Sequence, residues 1–361
     1  MDDGSWIPRS QIREEERLWH RPWIRIAALS VIVIVVVMIL SGGLSFWRDE
    51  RTLAAERVLE PDRAVMPAPE PQDLEPLLEE GENIRFPTRF TMTTAPMQVS
   101  EDAIYRGSLV LVNYAYPLPE GYEPEELIYS HSLVEPSNAS GFSASRDGIG
   151  VNREAGESLT ALIGYAWDTH GVGGFTLISG YRDFNYQAFL HQRKIQEYRD
   201  MGYSADDAGR AAAFWVARPR QSEHHTGLAL DLPSRSHPGL TTSYANTTNG
   251  QWLAEHSWKH GFVVRYPQDK SEITMIGFEP WHIRYVGRPH SEIIHVHSWC
   301  LEEYLAFLQK EGGCTFRDKD GAIWQIDYQP IADGAVETPA DQAFSISGDG
   351  KQGFIISTRM E

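Results

Sequence analysis

The chain has 361 residues, 42% hydrophobic and 11% aromatic, enough to build a real core and to exclude wholesale disorder. Its formal net charge of -18 argues against sequence-independent nucleic-acid binding, which relies on Lys and Arg neutralising phosphates. The sequence carries no basic groove, no internal repeat and no phosphate-binding glycine loop.

The first 25 residues lead into an uncharged run of 22, "IAALSVIVIVVVMILSGGLSFW", at residues 26–47. At about 1.5 Å per residue in a helix this run spans the ~30 Å hydrocarbon core of a bilayer. Trp23 and Trp47 bracket it where interfacial aromatics sit. A cleaved signal peptide is the alternative, but its apolar region is only ~7–15 residues long and ends at an A-x-A-like site, which is absent here. The run therefore reads as an uncleaved single-pass anchor. Five arginines precede it and four follow as far as Arg63, so charge alone barely sets its orientation.

Residues 48–95 read as a tether. Between Glu60 and Glu82 there are eight acidic residues, five prolines and one arginine, a composition that buries too little surface to offset its ordering entropy. Folded texture begins near residue 104. "SLVLVNYAYPLP" reads as a short apolar strand halted by proline. "SLTALIGYAWDTHG" sets Leu159, Leu162, Ile163 and Trp167 on one helical face before a glycine stop. "GFTLISGYRDF" reads as a buried strand ending in a turn that carries Arg182. Two helices split by "GYS" then fill 184–216. The helix "NGQWLAEHSWKHG" and the strands "FVVRYP" and "EPWHIRYVG" follow, a mixture without a βαβ rhythm that points to an α+β fold.

Residues 296–361 read as a C-terminal extension: a helix, "SWCLEEYLAFLQKEGG", then alternating strands in "AIWQIDYQ" and a hairpin in "FSISGDGKQGFIIS". Cys300 and Cys314 flank the helix, either as a disulfide or as two unrelated buried thiols.

Chemistry concentrates in "SEHHTGLALDLP", residues 222–233. With strand periodicity, Leu228, Leu230 and Leu232 face one side while Ala229 and Asp231 face the other. Gly227 permits a turn that returns a histidine toward Asp231. An open catalytic zinc site takes three protein ligands, and the best third donor is His282 of "GFEPWHIRYVG", preceded at three residues by the carboxylate of Glu279. A carboxylate that does not bind the metal is what a hydrolytic site uses to take a proton from the attacking water.

"SGYRDFNYQ", "SEHHTGLALD" and "EPWHIRYVG" resemble, in that order, the signature segments of the VanY-type zinc D-alanyl-D-alanine carboxypeptidases, relatives of the VanX dipeptidases and of the hedgehog amino-terminal domain. The second segment fits S-x-H-x-x-G-x-A-x-D at every fixed position and the third fits E-x-W-H-x-R-Y. "LVNYAYPLP" and "WKHGFVVRYP" also resemble family stretches, and the likeness covers roughly residues 104–290.

The resemblance implies a small antiparallel sheet with flanking helices at 96–295, one Zn2+ held by His224, Asp231 and His282, and Glu279 as catalytic base. It further implies Arg182 as the partner of the developing oxyanion, with Ser222 and Gln187 lining the substrate pocket. His225, adjacent to a ligand on a diverging chain, is expected to be a bystander. The implied substrate is a peptidoglycan stem peptide losing its C-terminal D-alanine, which places the catalytic region outside the cell membrane and residues 1–25 in the cytoplasm. L,D-carboxypeptidase or endopeptidase activity, and a non-enzymatic zinc-containing wall-binding or sensing domain, are the rival expectations; Glu279 and Arg182 argue against the last.

Overall fold

The computed structural model describes residues 92–360 apart from 135–138 and 332–333. The expected anchor at 26–47, the segment before it and most of the tether lie outside the described residues. Among the described residues no helix is long and apolar enough to cross a membrane.

The N-terminal part runs through β1 (Thr94–Gln98), β2 (Leu127–Tyr129), β3 (Ser143–Ala144) and β4 (Gly150–Asn152) into α1 (Arg153–His170). The Asn152 side chain accepts the Ala155 N–H and starts α1, and Gly171 in the left-handed region ends it, as the glycine stop predicts. Leu159, Leu162 and Ile163 are buried, but Trp167 is 41% exposed, so the apolar stripe stops a turn short of the expected face. The expected strand in "SLVLVNYAYPLP" does not form. Its core side chains are buried, yet its backbone bonds go elsewhere: Leu111 N–H donates to Asp349 O, and the carbonyls of Ser108 and Val110 accept from Arg284. With those groups committed, no strand ladder is available to it.

After β5 (Thr176–Leu177) come α2 (Phe184–Asp200) and α3 (Ala205–Ala213), the two helices split at "GYS". β6 (Ala229–Asp231), α4 (Thr248–His256), β7 (Phe262–Val264), α5 (Ser271–Thr274) and β8 (His282–Tyr285) complete the middle of the chain. The three strands form one antiparallel sheet in the order β6-β8-β7. Leu228, Leu230 and Leu232 enter a core with α1, Trp252 and Trp281, which leaves the opposite face of β6 for Asp231.

The C-terminal part comprises α6 (His290–Val296), α7 (Leu301–Glu311) and strands β9 (Gly313–Arg317), β10 (Ile323–Pro330), β11 (Ala335–Pro339), β12 (Phe344–Gly348) and β13 (Gly353–Met360). Four of these strands form a sheet in the order β12-β13-β10-β9, including the expected hairpin, while β11 pairs with β1. Leu301, Tyr304, Leu305 and Leu308 of α7 share one hydrophobic cluster with Ile326, Tyr328 and Ile355, and also with Leu109, Leu111, Val263 and Val286. Residues 296–361 thus complete a core that the preceding segments begin. Cys300 and Cys314 are buried as thiols. The fold is a mixed one of small sheets and helices.

Candidate metal centre

Strand register assembles the centre. Asp231 on β6 lies directly opposite His282 on β8, and directly opposed residues of an antiparallel pair project from the same face. His224 arrives from a single helical turn, Glu223–Thr226, closed by Gly227 at φ 72°. A side chain at Gly227 would meet Leu127 Cδ2 at 2.8 Å and the Asn152 amide nitrogen at 2.9 Å, so glycine is required both for the turn and for the close approach of β4.

One ligand atom from each of His224, Asp231 and His282 lies within 4.8 Å of the others, and all three residues are buried. His224 Nδ1–H donates to Gly180 O at 2.7 Å, which leaves Nε2 turned toward Asp231 Oδ2 at 3.4 Å. His282 Nδ1 stands 3.3 Å from Asp231 Oδ1 and 3.3 Å from Glu279 Oε2, and its Nε2 is buried without a hydrogen-bond partner.

Arg182 brackets the centre. Its Nη2 donates to Asp231 Oδ2 at 2.6 Å, its Nε to Ser179 Oγ at 2.8 Å and its Nη1 to Gln187 Oε1 at 3.2 Å. Gln187 is engaged at both ends, since its Nε2 also donates to Ala217 O at 2.7 Å. It therefore orients Arg182. Ser222 is buried at the start of the turn that carries His224, and its carbonyl accepts the His225 N–H.

His225 points away from the centre and is satisfied at both ring nitrogens. Nδ1–H donates to Arg182 O at 2.6 Å, and Nε2 accepts the Arg220 N–H at 3.1 Å. With its edge against Phe184 and burial pulling its pKa down to about 4, the ring is neutral and carries no lone pair toward the centre.

The electrostatics are those of a cation site. Burial alone would push the Asp231 carboxyl up, but His224 and Arg182 override it and hold Asp231 well below the ordinary carboxylate value. Burial, reinforced by Arg182, pulls His224 down to about 4 and keeps it a neutral donor. For His282, burial opposes the charged form, yet Asp231 and Glu279 outweigh it and raise the ring to about 9. Two carboxylates thus demand a positive charge at His282 Nδ1. A divalent cation meets that demand equally well. Two imidazole nitrogens and one carboxylate oxygen are the protein donor set of an open zinc site, so the residues fit the metal. Glu279 is raised above the ordinary range, chiefly by burial.

Several supporting groups escaped the sequence reading. Gly180 supplies the carbonyl that fixes the tautomer of His224, and Ser179 steers Arg182. The Tyr266 ring packs 4.8 Å from that of His282. Glu223, between Ser222 and His224, is fully buried against Arg265 and Arg284. Arginines set within apolar strands, "FVVRYP" and "HIRYVG", were the signal for this buried ion network.

Residues 149–288 match the family described as VanY, D-alanyl-D-alanine carboxypeptidase. The chain is 32% identical over 266 residues to a D-alanyl-D-alanine carboxypeptidase of Enterococcus faecium, covering 73% of this chain and 79% of that one. It is 30% identical to a bifunctional D-Ala-D-Ala dipeptidase and carboxypeptidase, VanXYC, of Enterococcus gallinarum, covering 56% of this chain and 95% of the relative. Among solved structures, the vancomycin-resistance D,D-dipeptidase VanXYg in complex with a D-Ala-D-Ala phosphinate analogue is similar at 26% identity and TM-score 0.60, covering 75% of this chain and 100% of that chain. The chain belongs to the VanY family of D-alanyl-D-alanine carboxypeptidases.

Proposed function

We propose that the protein is a membrane-anchored, zinc-dependent D,D-carboxypeptidase that removes the C-terminal D-alanine from peptidoglycan stem peptides. The observation that carries this reading is the buried His224, Asp231 and His282 cluster with the Glu279 carboxylate at its edge. His224 through Nε2, Asp231 through a carboxylate oxygen and His282 through Nδ1 would hold the metal. Bound there, zinc supplies an acidified water and a Lewis acid for the scissile carbonyl.

The chain's own residues do the rest. Glu279, its affinity for a proton raised by burial, accepts the proton of the attacking water at Oε2 and returns it to the leaving amine of D-alanine. Arg182, braced by Ser179 and Gln187, holds a guanidinium beside the centre, where negative charge grows on the carbonyl oxygen. The uncharged run at 26–47 supports a single-pass anchor, and a peptidoglycan substrate calls for the catalytic region outside the cell.

Incubation of the purified protein with defined pentapeptide and tetrapeptide stems, followed by mass spectrometry, tests the specificity. Loss of one D-alanine from the pentapeptide is expected; no release from it overturns the reading. Free D-Ala-D-Ala belongs in the same panel, because the likeness to VanXYg covers the whole of that dipeptidase. Protease added to intact cells should remove a C-terminal tag, and full protection would overturn the orientation.

A further inference from the structure

The acid between Ser222 and His224 starts a chain of buried charges that leaves the family-matched segment. Arg265 Nε donates to Glu223 Oε1 at 2.8 Å, and Arg284 Nη1 lies 2.8 Å from the same oxygen, a coulombic contact without hydrogen-bond alignment. The other two nitrogens of Arg265 clasp Glu302 of α7, Nη1 to Oε2 at 2.8 Å and Nη2 to Oε1 at 2.7 Å. Asn113 Nδ2 donates to Glu302 Oε1 at 3.2 Å. All four charged side chains are buried, with relative exposures of 0–2%.

Three members of this network, Glu223, Arg265 and Arg284, border a candidate ligand, and Glu302 reaches the centre through Arg265. Glu223 is the residue before His224. The Arg265 N–H donates to His282 O at 3.1 Å, and the next residue, Tyr266, packs its ring on His282. Arg284 is two residues from His282 and opposite Ala229, itself two residues from Asp231. Two guanidiniums against two carboxylates close the charge balance, and Glu302 is the only member contributed from beyond residue 288, where the family match ends. Buried ion pairs contribute little net stability compared with apolar side chains of the same shape, so a network here is better explained by the geometry it enforces.

We infer that Glu302 is a positioning residue for the metal centre: by clasping Arg265 it fixes Glu223 and the β7–β8 backbone, and so sets the spacing of His224, Asp231 and His282. The C-terminal region thereby holds the site as well as completing the core. The inference rests on the zinc reading above.

The test is zinc affinity of the full-length protein, measured by chelator competition, alongside the kcat and KM of D-alanine release. Glu302→Gln keeps the shape and removes the charge; zinc binding should weaken about 10–100-fold, the usual effect of losing a residue that orients a ligand. Should that variant fail to fold, the double replacement Arg265→Met with Glu302→Met removes one charge of each sign and leaves Glu223 facing Arg284, and the same weakening is expected. Ile326→Ala opens a cavity in the same region away from the network and should leave zinc affinity unchanged. Native zinc affinity in a folded Glu302 variant, or equal weakening in Ile326→Ala, overturns the inference. A wild-type protein that binds no zinc overturns the zinc reading instead.

Discussion

The three-stranded sheet under the metal centre and the four-stranded sheet at the C-terminus are built on opposite terms. Strands of the first are three or four residues long and carry or adjoin Asp231, Glu279, His282, Arg265 and Arg284, all buried. Strands of the second run to five or eight residues, and apolar side chains bury both of its faces, Ile326, Tyr328 and Ile355 on one and Phe354 and Ile356 on the other. Short strands gain little from their own ladder, and ionic side chains taken out of water must be paired to be tolerated. A hydrolytic centre needs such charges in a medium of low dielectric, so its rigidity has to come from neighbours. The longer sheet and α7 are among them.

The largest effect that would separate the two regions is at Glu279. Glu279→Gln should lower kcat by about 10²–10⁴-fold, the range for removing a positioned proton acceptor, while metal analysis still finds one zinc per chain. Full activity in that variant would remove the base from the mechanism. Next, Ile326→Ala in the C-terminal core should cost about 2–5 kcal/mol in denaturant unfolding and leave kcat per folded molecule unchanged. A matching fall in kcat would erase the proposed division between a core that stabilises and a network that positions.

Acid offers a third comparison, through His290. It is buried, with Nδ1 2.7 Å from Tyr304 Oη and Nε2 3.1 Å from Ser357 Oγ, and burial lowers its pKa from 6.5 to about 3. The folded state resists protonation that the unfolded state accepts near pH 6.5, so stability falls as pH drops from about 6.5 toward 3. The melting temperature should follow, and His290→Asn should flatten part of that decline. An unchanged acid slope in the variant would assign the loss to other groups, with buried His224 and His225 the next to examine. The smallest effect on the metal is expected at His225: His225→Ala leaves the Arg220 N–H without its acceptor and costs about 1–3 kcal/mol of stability, yet zinc stoichiometry stays at one. Loss of zinc there would make His225 a ligand after all.

Much of this was legible in the sequence. Periodicity with glycine and proline punctuation located α1, α2, α3, α4, α7, β7, β8 and the terminal hairpin, because those signals act over a few residues and need no partner. The same local logic turned Asp231 away from its leucines. The donor types at 224, 231 and 282 were visible because hydrolytic zinc chemistry admits few alternatives, and the family likeness put them in order.

Other features depend on groups far apart in the chain. The apolar stretch after Ser108 reads as a strand, but its carbonyls belong to Arg284 and its amides to the C-terminal hairpin. Which of two adjacent histidines faces Asp231 follows from carbonyls at Gly180 and Arg182, some forty residues upstream. The bond from Arg265 to Glu302 joins residues 37 apart and has no periodic signature. Local pattern determined the elements and the chemistry they carry. Only tertiary structure decided how buried charges pair, because a pairing free energy depends on distance and desolvation, and neither exists until the chain has folded.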